Sequence, residues 1–230
     1  MEIHPIAHIH TDFPEKFGIP RQSGLAAGAK GTIVFVPAYR HPDALRGLTD
    51  YDFLWLVWDF SMNHREGWSA TVTPPRLGGK ERVGVFATRS PFRPNPIGLS
   101  CVKMEEIRST EAEGEVIIVS GVDLLDGTPI YDIKPYLPYT DAHPEAVGGF
   151  SDRTGAHTLQ VEIPPELEAR IRPELLDTVR SLLEQDPRTA FIRDDERVWG
   201  MRYAEYNIRF TVCGNVLRVC EVAVVQDSSD

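Results

Sequence analysis

The stretch "GVFATRSPFRPNPIGLS" (84–100) sets Arg89 and Arg93 four residues apart, with Asn95 two further on, among Pro91, Pro94 and Pro96. So many prolines exclude a helix interior or a central strand. The segment therefore reads as a rigid loop that holds cationic and polar side chains in one place for an anionic or polar ligand. A second such segment is "KFGIPRQSGL" (16–25), where Lys16, Arg21 and Gln22 lead into Ser23-Gly24. Gly24 lets backbone approach a ligand closely. The third is "DLLDGTPIYDIKPYLPY" (123–139), in which Asp126-Gly127 predicts a turn and Pro129, Pro135 and Pro138 stiffen the chain beyond it. Asp132 and Lys134, two apart, share one face of an extended strand. Singly, each segment has a bland reading as a turn, a hairpin or a solvated ion pair. Together they are three proline-stiffened loops that preorganise polar groups.

Several familiar chemistries lack their motifs. "GLAAGAKG" has glycines at the wrong spacing for a dinucleotide fold and precedes a strand. "LGGKER" lacks the first glycine and the hydroxyl of a phosphate loop, and neither a G-x-S-x-G elbow nor H-E-x-x-H occurs. Cys101, Cys213 and Cys220 are odd in number and form no C-x-x-C pair, which argues against a disulfide framework and a zinc site. His4, His8 and His10 read as surface or strand-edge residues rather than ligands.

The chain has 230 residues and a formal net charge of −10. That charge is awkward for a nucleic-acid partner, whose phosphates need Lys and Arg. Between Arg76 and Lys103, however, Arg76, Lys80, Arg82, Arg89, Arg93 and Lys103 face Glu81 alone, a local surplus of about +5. No apolar run is long enough for a membrane span and "MEIHPIAHIH" lacks the features of a signal peptide, so a cytoplasmic location is expected.

Strands are expected in "IHPIAHI", "KGTIVFVPAY", "DFLWLVWDF", "ATVTP", "RVGVFAT", "LSCVKMEEI" and "GEVIIVSGVD", separated by Gly, Pro and Asp clusters at short intervals. This is the pattern of a strand-dominated barrel or sandwich. "HPDALRGL" predicts a brief helix, and the one strong helical period runs through "PPELEARIRPELLDTVRSLLEQDP" (164–187). A linker is expected over 142–155; "WGMRYAEYNIRFTV" and "VLRVCEVAVV" then have β character and are joined by a turn at "CGN". The expected organisation is a mainly β N-terminal barrel (1–145) and a smaller α+β C-terminal domain (155–230).

The three loops, with "PPRLGG" (74–79), resemble the signature segments of the TsaA-like family, whose characterised members are TrmO-type tRNA methyltransferases. The likeness runs from about residue 5 to 141, and "QDPRTAFIRDDERVWGMRYAEYNIRF" (185–210) resembles the C-terminal domain of bacterial members. The resemblance implies S-adenosylmethionine-dependent methylation of N6-threonylcarbamoyladenosine at N6, beside the tRNA anticodon. It implies a barrel that binds the cofactor without a Rossmann fold, and a homodimer whose interface contributes to the site. It implies cofactor contacts at Ser23, Gly24 and Leu25; Ser61 and Met62; Arg89; Leu99; and Ser120, Gly121, Val122 and Asp123. In one departure, many members carry a histidine after the Phe that ends the central strand, where "WDFSMNH" has Ser61. The backbone contacts of Ser61 and Met62 are kept; His64, three residues on, replaces that histidine only if the loop folds back.

Methyl transfer is an in-line displacement, so alignment is the protein's main task. A carboxylate is the natural proton acceptor for the nitrogen, and Asp132 is preferred because Asp126 already serves its turn. The threonyl carboxylate calls for a cation, with Arg93 first and Lys134 second. Tyr136 or Tyr139 can stack on an extruded base. Two other readings stay open: a β-barrel module that binds RNA or another ligand without catalysis, and a methyltransferase with a different acceptor.

Overall fold

The computed structural model describes residues 2–64, 66–74, 77, 81–154, 158–188 and 194–225. Arg76, Lys80 and Arg193, and most of "PPRLGG", lie outside the described residues.

Alternation of apolar residues builds the first sheet. β1 (Ala7–Thr11), β2 (Lys30–Phe35), β3 (Phe53–Asp59), β6 (Ile97–Thr110), β7 (Gly114–Ser120) and β8 (Thr128–Pro135) close into a barrel in the order β1-β2-β7-β6-β3-β8. Every pairing in it is antiparallel. In β3, Leu54, Leu56 and Trp58 turn inward while Phe53 stays 42 % exposed, the period-2 pattern of a strand with one buried face. A short hairpin, β4 (Thr71–Val72) with β5 (Val83–Gly84), stands between β3 and β6. "HPDALRGL" contributes one 3-10 turn, Pro42–Leu45.

A short helix, α1 (Pro138–Asp141), precedes the expected linker region, which itself carries another, α2 (Phe150–Thr154). β9 (Gln160–Glu162) comes next, and the long helical period splits into α3 (Pro165–Glu168) and α4 (Pro173–Glu184). The single period predicts one helix. Pro173 lacks the N–H and clashes with the preceding turn, so it starts a new helix instead of continuing the old one. β10 (Trp199–Tyr203), β11 (Tyr206–Cys213) and β12 (Val216–Val224) complete a second sheet, ordered β10-β11-β12-β9 with β9 parallel to β12. "WGMRYAEYNIRFTV" is thus itself a hairpin, turning at Ala204, which has φ 48°.

One continuous apolar cluster joins the two sheets. It includes Ile9, Ile33, Leu56 and Ile130 from the barrel and Leu182, Met201, Tyr203 and Phe210 from the C-terminal part. The connecting pieces lie in the loop after β1. Phe13 meets Tyr203 at 5.2 Å and Phe17 stacks on Trp199 at 6.0 Å. The observed architecture is the expected one: a β-barrel followed by a smaller α+β part.

Candidate functional site

β7 leaves the barrel ladder at Ser120, and Gly121 turns the chain with φ 73°. The gap at the edge of β6 is filled from a distant part of the chain. Ser23 Oγ accepts from the Cys101 amide at 3.1 Å, and the Gly24 amide donates to Gly121 O at 2.8 Å. Glycine is required at 121: besides the positive φ, a Cβ there would lie 3.3 Å from Gly24 Cα. At Gly24, φ 80°, a Cβ would meet nothing within 4 Å, so backbone stands open to a ligand.

Asp123 lies beneath this junction. Ser100 Oγ donates to Asp123 Oδ1 at 2.6 Å, and the Trp58 indole N–H donates to Ser100 Oγ at 3.0 Å. The indole can lie there because position 98 is glycine; a Cβ at Gly98 would collide with it. Burial pushes the Asp123 carboxyl up from 3.8 to about 6, against the Ser100 and Ser23 hydrogen bonds and the Arg89 charge, which pull it down. Arg89 donates to Gln22 Oε1, which joins the proline-rich loop to the Ser23 loop. Leu99 is 53 % exposed on the outer face, in register with Val57, and Val57 is in register with Asp132 on its other side. Ser61 and Met62 form a 3-10 turn directly after β3, and Lys16 Nζ donates to Met62 O at 3.0 Å.

Thus Ser23, Gly24, Gly121, Asp123 and Arg89 come together, with Leu99 on the adjoining strand. Val122 is fully buried and its amide is used by Ala29 O. Ser120 is buried too and donates to Glu105 Oε1, holding that carboxyl below its usual range. Leu25 is 37 % exposed, and its carbonyl accepts from Ser181 of α4.

On the same outer face, Lys134 Nζ pairs with Asp132 Oδ2 at 2.8 Å, while Asp132 Oδ1 accepts from the Ile133 amide at 2.9 Å. The expected shared face of Asp132 and Lys134 is what the strand presents. Arg93 donates to Thr88 O at 3.0 Å, bracing its own loop. Tyr136 packs against Phe53 and Trp55, whereas Tyr139 is 87 % exposed. Among the arginines of the C-terminal part, Arg188 pairs with Asp186, Arg209 pairs with Glu221 and Arg197 lies over Trp199.

Ser100, Trp58 and Asp59 belong to this region and are not among the residues singled out by sequence. Ser100 carries a readable signal, being a polar residue at an inward position between Gly98 and Val102. A cavity of about 320 Å³ lies alongside, lined by Lys16, Phe17, Arg21, Leu182 and Gln185 among others. Among the described residues no group of three metal-ligating side chains occurs, and no helix is long and apolar enough to cross a membrane.

The family model described as the tRNA-methyltransferase O N-terminal domain matches residues 8–142, and the TrmO C-terminal domain model matches 156–225. The chain is 39 % identical over 217 residues to a tRNA (adenine(37)-N6)-methyltransferase of Escherichia coli K12, covering 90 % of this chain and 91 % of that one. It is 36 % identical over 237 residues to RcsF of Pseudomonas aeruginosa, described as a putative S-adenosylmethionine-dependent methyltransferase, covering 96 % and 97 %. The crystal structure of TrmO from Pseudomonas aeruginosa superposes with a TM-score of 0.76 at 33 % identity, covering 97 % of this chain and 98 % of that one.

Proposed function

The chain belongs to the tRNA-methyltransferase O family, and from that premise we propose that it methylates N6 of N6-threonylcarbamoyladenosine beside the anticodon. It is an S-adenosylmethionine-dependent tRNA (adenine-N6)-methyltransferase. The observation that carries the site is the junction of Gly24 and Gly121 over Asp123, beside Arg89.

These residues fit the cofactor. Gly24 is exposed and leaves open space where a side chain would stand, Gly121 holds it from beneath, and Leu25, Leu99 and Met62 offer apolar surface. Arg89 suits the cofactor's carboxylate, and an ionised Asp123 suits its positive charges. When bound, the cofactor supplies a methyl group on a positively charged sulfur. The protein's own work is then alignment. Ser23, Gly24 and Leu25 meet Ser61, Met62, Arg89, Leu99 and the 120–123 segment around one ligand, and the prolines fix the distance from Arg89 to Arg93. On the acceptor side, Arg93 and Lys134 receive the threonyl carboxylate, and Asp132 orients Lys134. The barrel domain (1–145) carries this site, and the small domain (155–230) serves tRNA binding in the cytoplasm.

A homodimer completes the reading. Leu99, Phe86 (71 % exposed) and Trp68 (52 %), the last two stacked at 6.0 Å, leave apolar surface beside the site. Such surface favours a second copy. Light scattering should give twice the chain mass of 25.8 kDa; a monomer at micromolar concentration would remove the dimer from the reading.

The function is tested by incubating the protein with labelled S-adenosylmethionine and tRNA with or without the threonylcarbamoyl group, then identifying the labelled nucleoside. Label only with the modified tRNA is expected. Arg89→Ala should weaken cofactor binding, whereas Arg93→Ala should impair methylation with cofactor affinity kept. Normal binding and normal turnover in both variants would refute this division of the loop.

A further inference from the structure

Asp59 is the last residue of β3, and its side chain is only 12 % exposed. A carboxylate taken out of water on a barrel rim needs donors. It has two. His64 Nε2 lies 2.7 Å from Asp59 Oδ1, and the Tyr131 hydroxyl hydrogen-bonds to the same carboxylate. Tyr131 reaches it because β8 bulges there: Ile130 pairs with Trp58 and Asp132 with Val57, so Tyr131 is the extra residue. A bulge of this kind re-aims a side chain. Burial, the Asp59 charge and the hydrogen bond to it raise the Tyr131 hydroxyl above its usual range.

The segment bringing His64 back is tied down on both sides. The Phe60 amide donates to Pro96 O at 2.9 Å, the Asn63 amide donates to Phe60 O at 2.7 Å, and Lys16 Nζ bonds both Met62 O and Asn63 Oδ1. An ionised carboxylate only accepts, so Nε2 carries the hydrogen and Nδ1 keeps its lone pair. The imidazole is 57 % exposed, and no partner for Nδ1 is found among the described residues. Asp59 lies two residues beyond Val57 on β3, so it stands one row along the same face from the Leu99–Val57–Asp132 row. The competing carboxylate in that row, Asp132, has both oxygens engaged, by Lys134 and by the Ile133 amide.

We propose that His64, oriented by Asp59 and Tyr131, accepts the proton from the acceptor nitrogen. This rests on the reading of the protein as an adenine-N6 methyltransferase. As the nitrogen's lone pair forms the bond to the methyl carbon, the carbon–sulfur pair returns to sulfur. The nitrogen's proton passes to His64 Nδ1, and its N–H pair stays on nitrogen. Asp59 faces the imidazolium so formed, the arrangement in which a carboxylate fixes tautomer and balances charge. His64 is then the catalytic residue, and Asp59 and Tyr131 are positioning residues.

The test pairs single-turnover methylation of tRNA with two measurements on the protein without cofactor. These are calorimetric titration of S-adenosylmethionine and nitrogen-15 NMR of the imidazole. His64→Gln should lower the methylation rate about 100-fold, with cofactor affinity unchanged within about twofold. Asp59→Asn should cost less and change the pH–rate profile; Asp59, Tyr131 and Lys16 are the other ionisable groups around the turn. In the wild type the imidazole should be the Nε2–H tautomer, and Asp59→Asn should disturb it. If His64→Gln keeps the rate within about threefold and the pH profile unchanged, the proposal falls and the methyltransferase reading stands. If His64→Gln loses cofactor binding as well, the residue is a brace and the proposal falls. A wild type that methylates no tRNA overturns both.

Discussion

Asp123→Asn should remove one pH-dependent component from the stability of the fold. In the native protein the carboxyl holds its proton up to about pH 6, against 3.8 when exposed, because burial outweighs its hydrogen bonds and the Arg89 charge. Between those values the folded form binds more protons than the unfolded one, so stability falls as pH rises through the window and is level outside it. At about 1.4 kcal/mol per pH unit, the two units amount to about 3 kcal/mol at most. Urea unfolding monitored by tryptophan fluorescence between about pH 4 and pH 7 should therefore show the wild type losing up to that much relative to Asp123→Asn. Any constant offset from rearranged hydrogen bonds to Ser100 and Ser23 leaves the slope difference intact. The ligand should see the same group: if ionised Asp123 faces the positive charges of S-adenosylmethionine, affinity rises about tenfold per pH unit below 6 and levels above it, and the variant flattens this rise. Stability curves that run parallel across the window would refute the buried-acid account of Asp123.

Gly121→Ala should cost about 1–2 kcal/mol for the left-handed backbone alone. It adds contact with Gly24 Cα at 3.3 Å, so chemical denaturation should show at least that loss together with weaker cofactor binding. An unchanged midpoint would mean that the junction relaxes freely. Asp126→Ala removes the acceptor of the Thr11 amide at 3.0 Å and of His10 at 3.3 Å. It should cost about 1–2 kcal/mol, or a melting point lower by roughly 2–8 °C for a chain of this size. Methylation below the new melting point should be unaffected, since Asp126 fastens β1 rather than the ligand.

The barrel strands are legible because each alternates against a single core, as "FLWLVWD" does with Leu54, Leu56 and Trp58 inward. The charged loops are legible too, since proline and glycine mark where backbone is held in place. What joins them is not. Ser23 meets Cys101 across 78 residues of sequence, and Arg89 meets Gln22 across 67. Both meetings depend on barrel closure, which no local period encodes. The resemblance picks out Asp123, but its burial beside Ser100 and the Trp58 indole is written nowhere in its own neighbourhood of the sequence. His64 illustrates the same limit, because its partner Asp59 is close in sequence but only the fastened 3-10 turn brings the two to 2.7 Å. The helical period misleads at Pro173 for a local reason: the missing N–H is plain from the residue type, yet the spacing of the leucines outweighs it.

The second sheet contributes to the site through packing rather than through a residue in it. The segment from Phe13 to Gly28 runs between the barrel and the C-terminal elements, and both hold it. Met201 fills the space that a side chain at Gly18 would need, φ 94° there, and Thr178 does the same at Gly28. The Ala204 amide donates to Asp12 O at 2.8 Å, the Arg202 amide to Glu15 Oε1 at 3.3 Å, and Ser181 Oγ to Leu25 O at 3.2 Å. From the barrel side, the Cys101 amide, Gly121 O and the Met62 carbonyl take Ser23, Gly24 and Lys16. A loop of glycines, Lys16, Arg21 and Gln22 would otherwise sample many conformations, and ordering it costs entropy at about 1–2 kcal/mol per residue. Docking the C-terminal sheet meets that cost during folding, before any ligand arrives. This accounts for one apolar cluster running through both sheets, and it ties the order of the Ser23–Gly24 loop to the packing of the smaller α+β part.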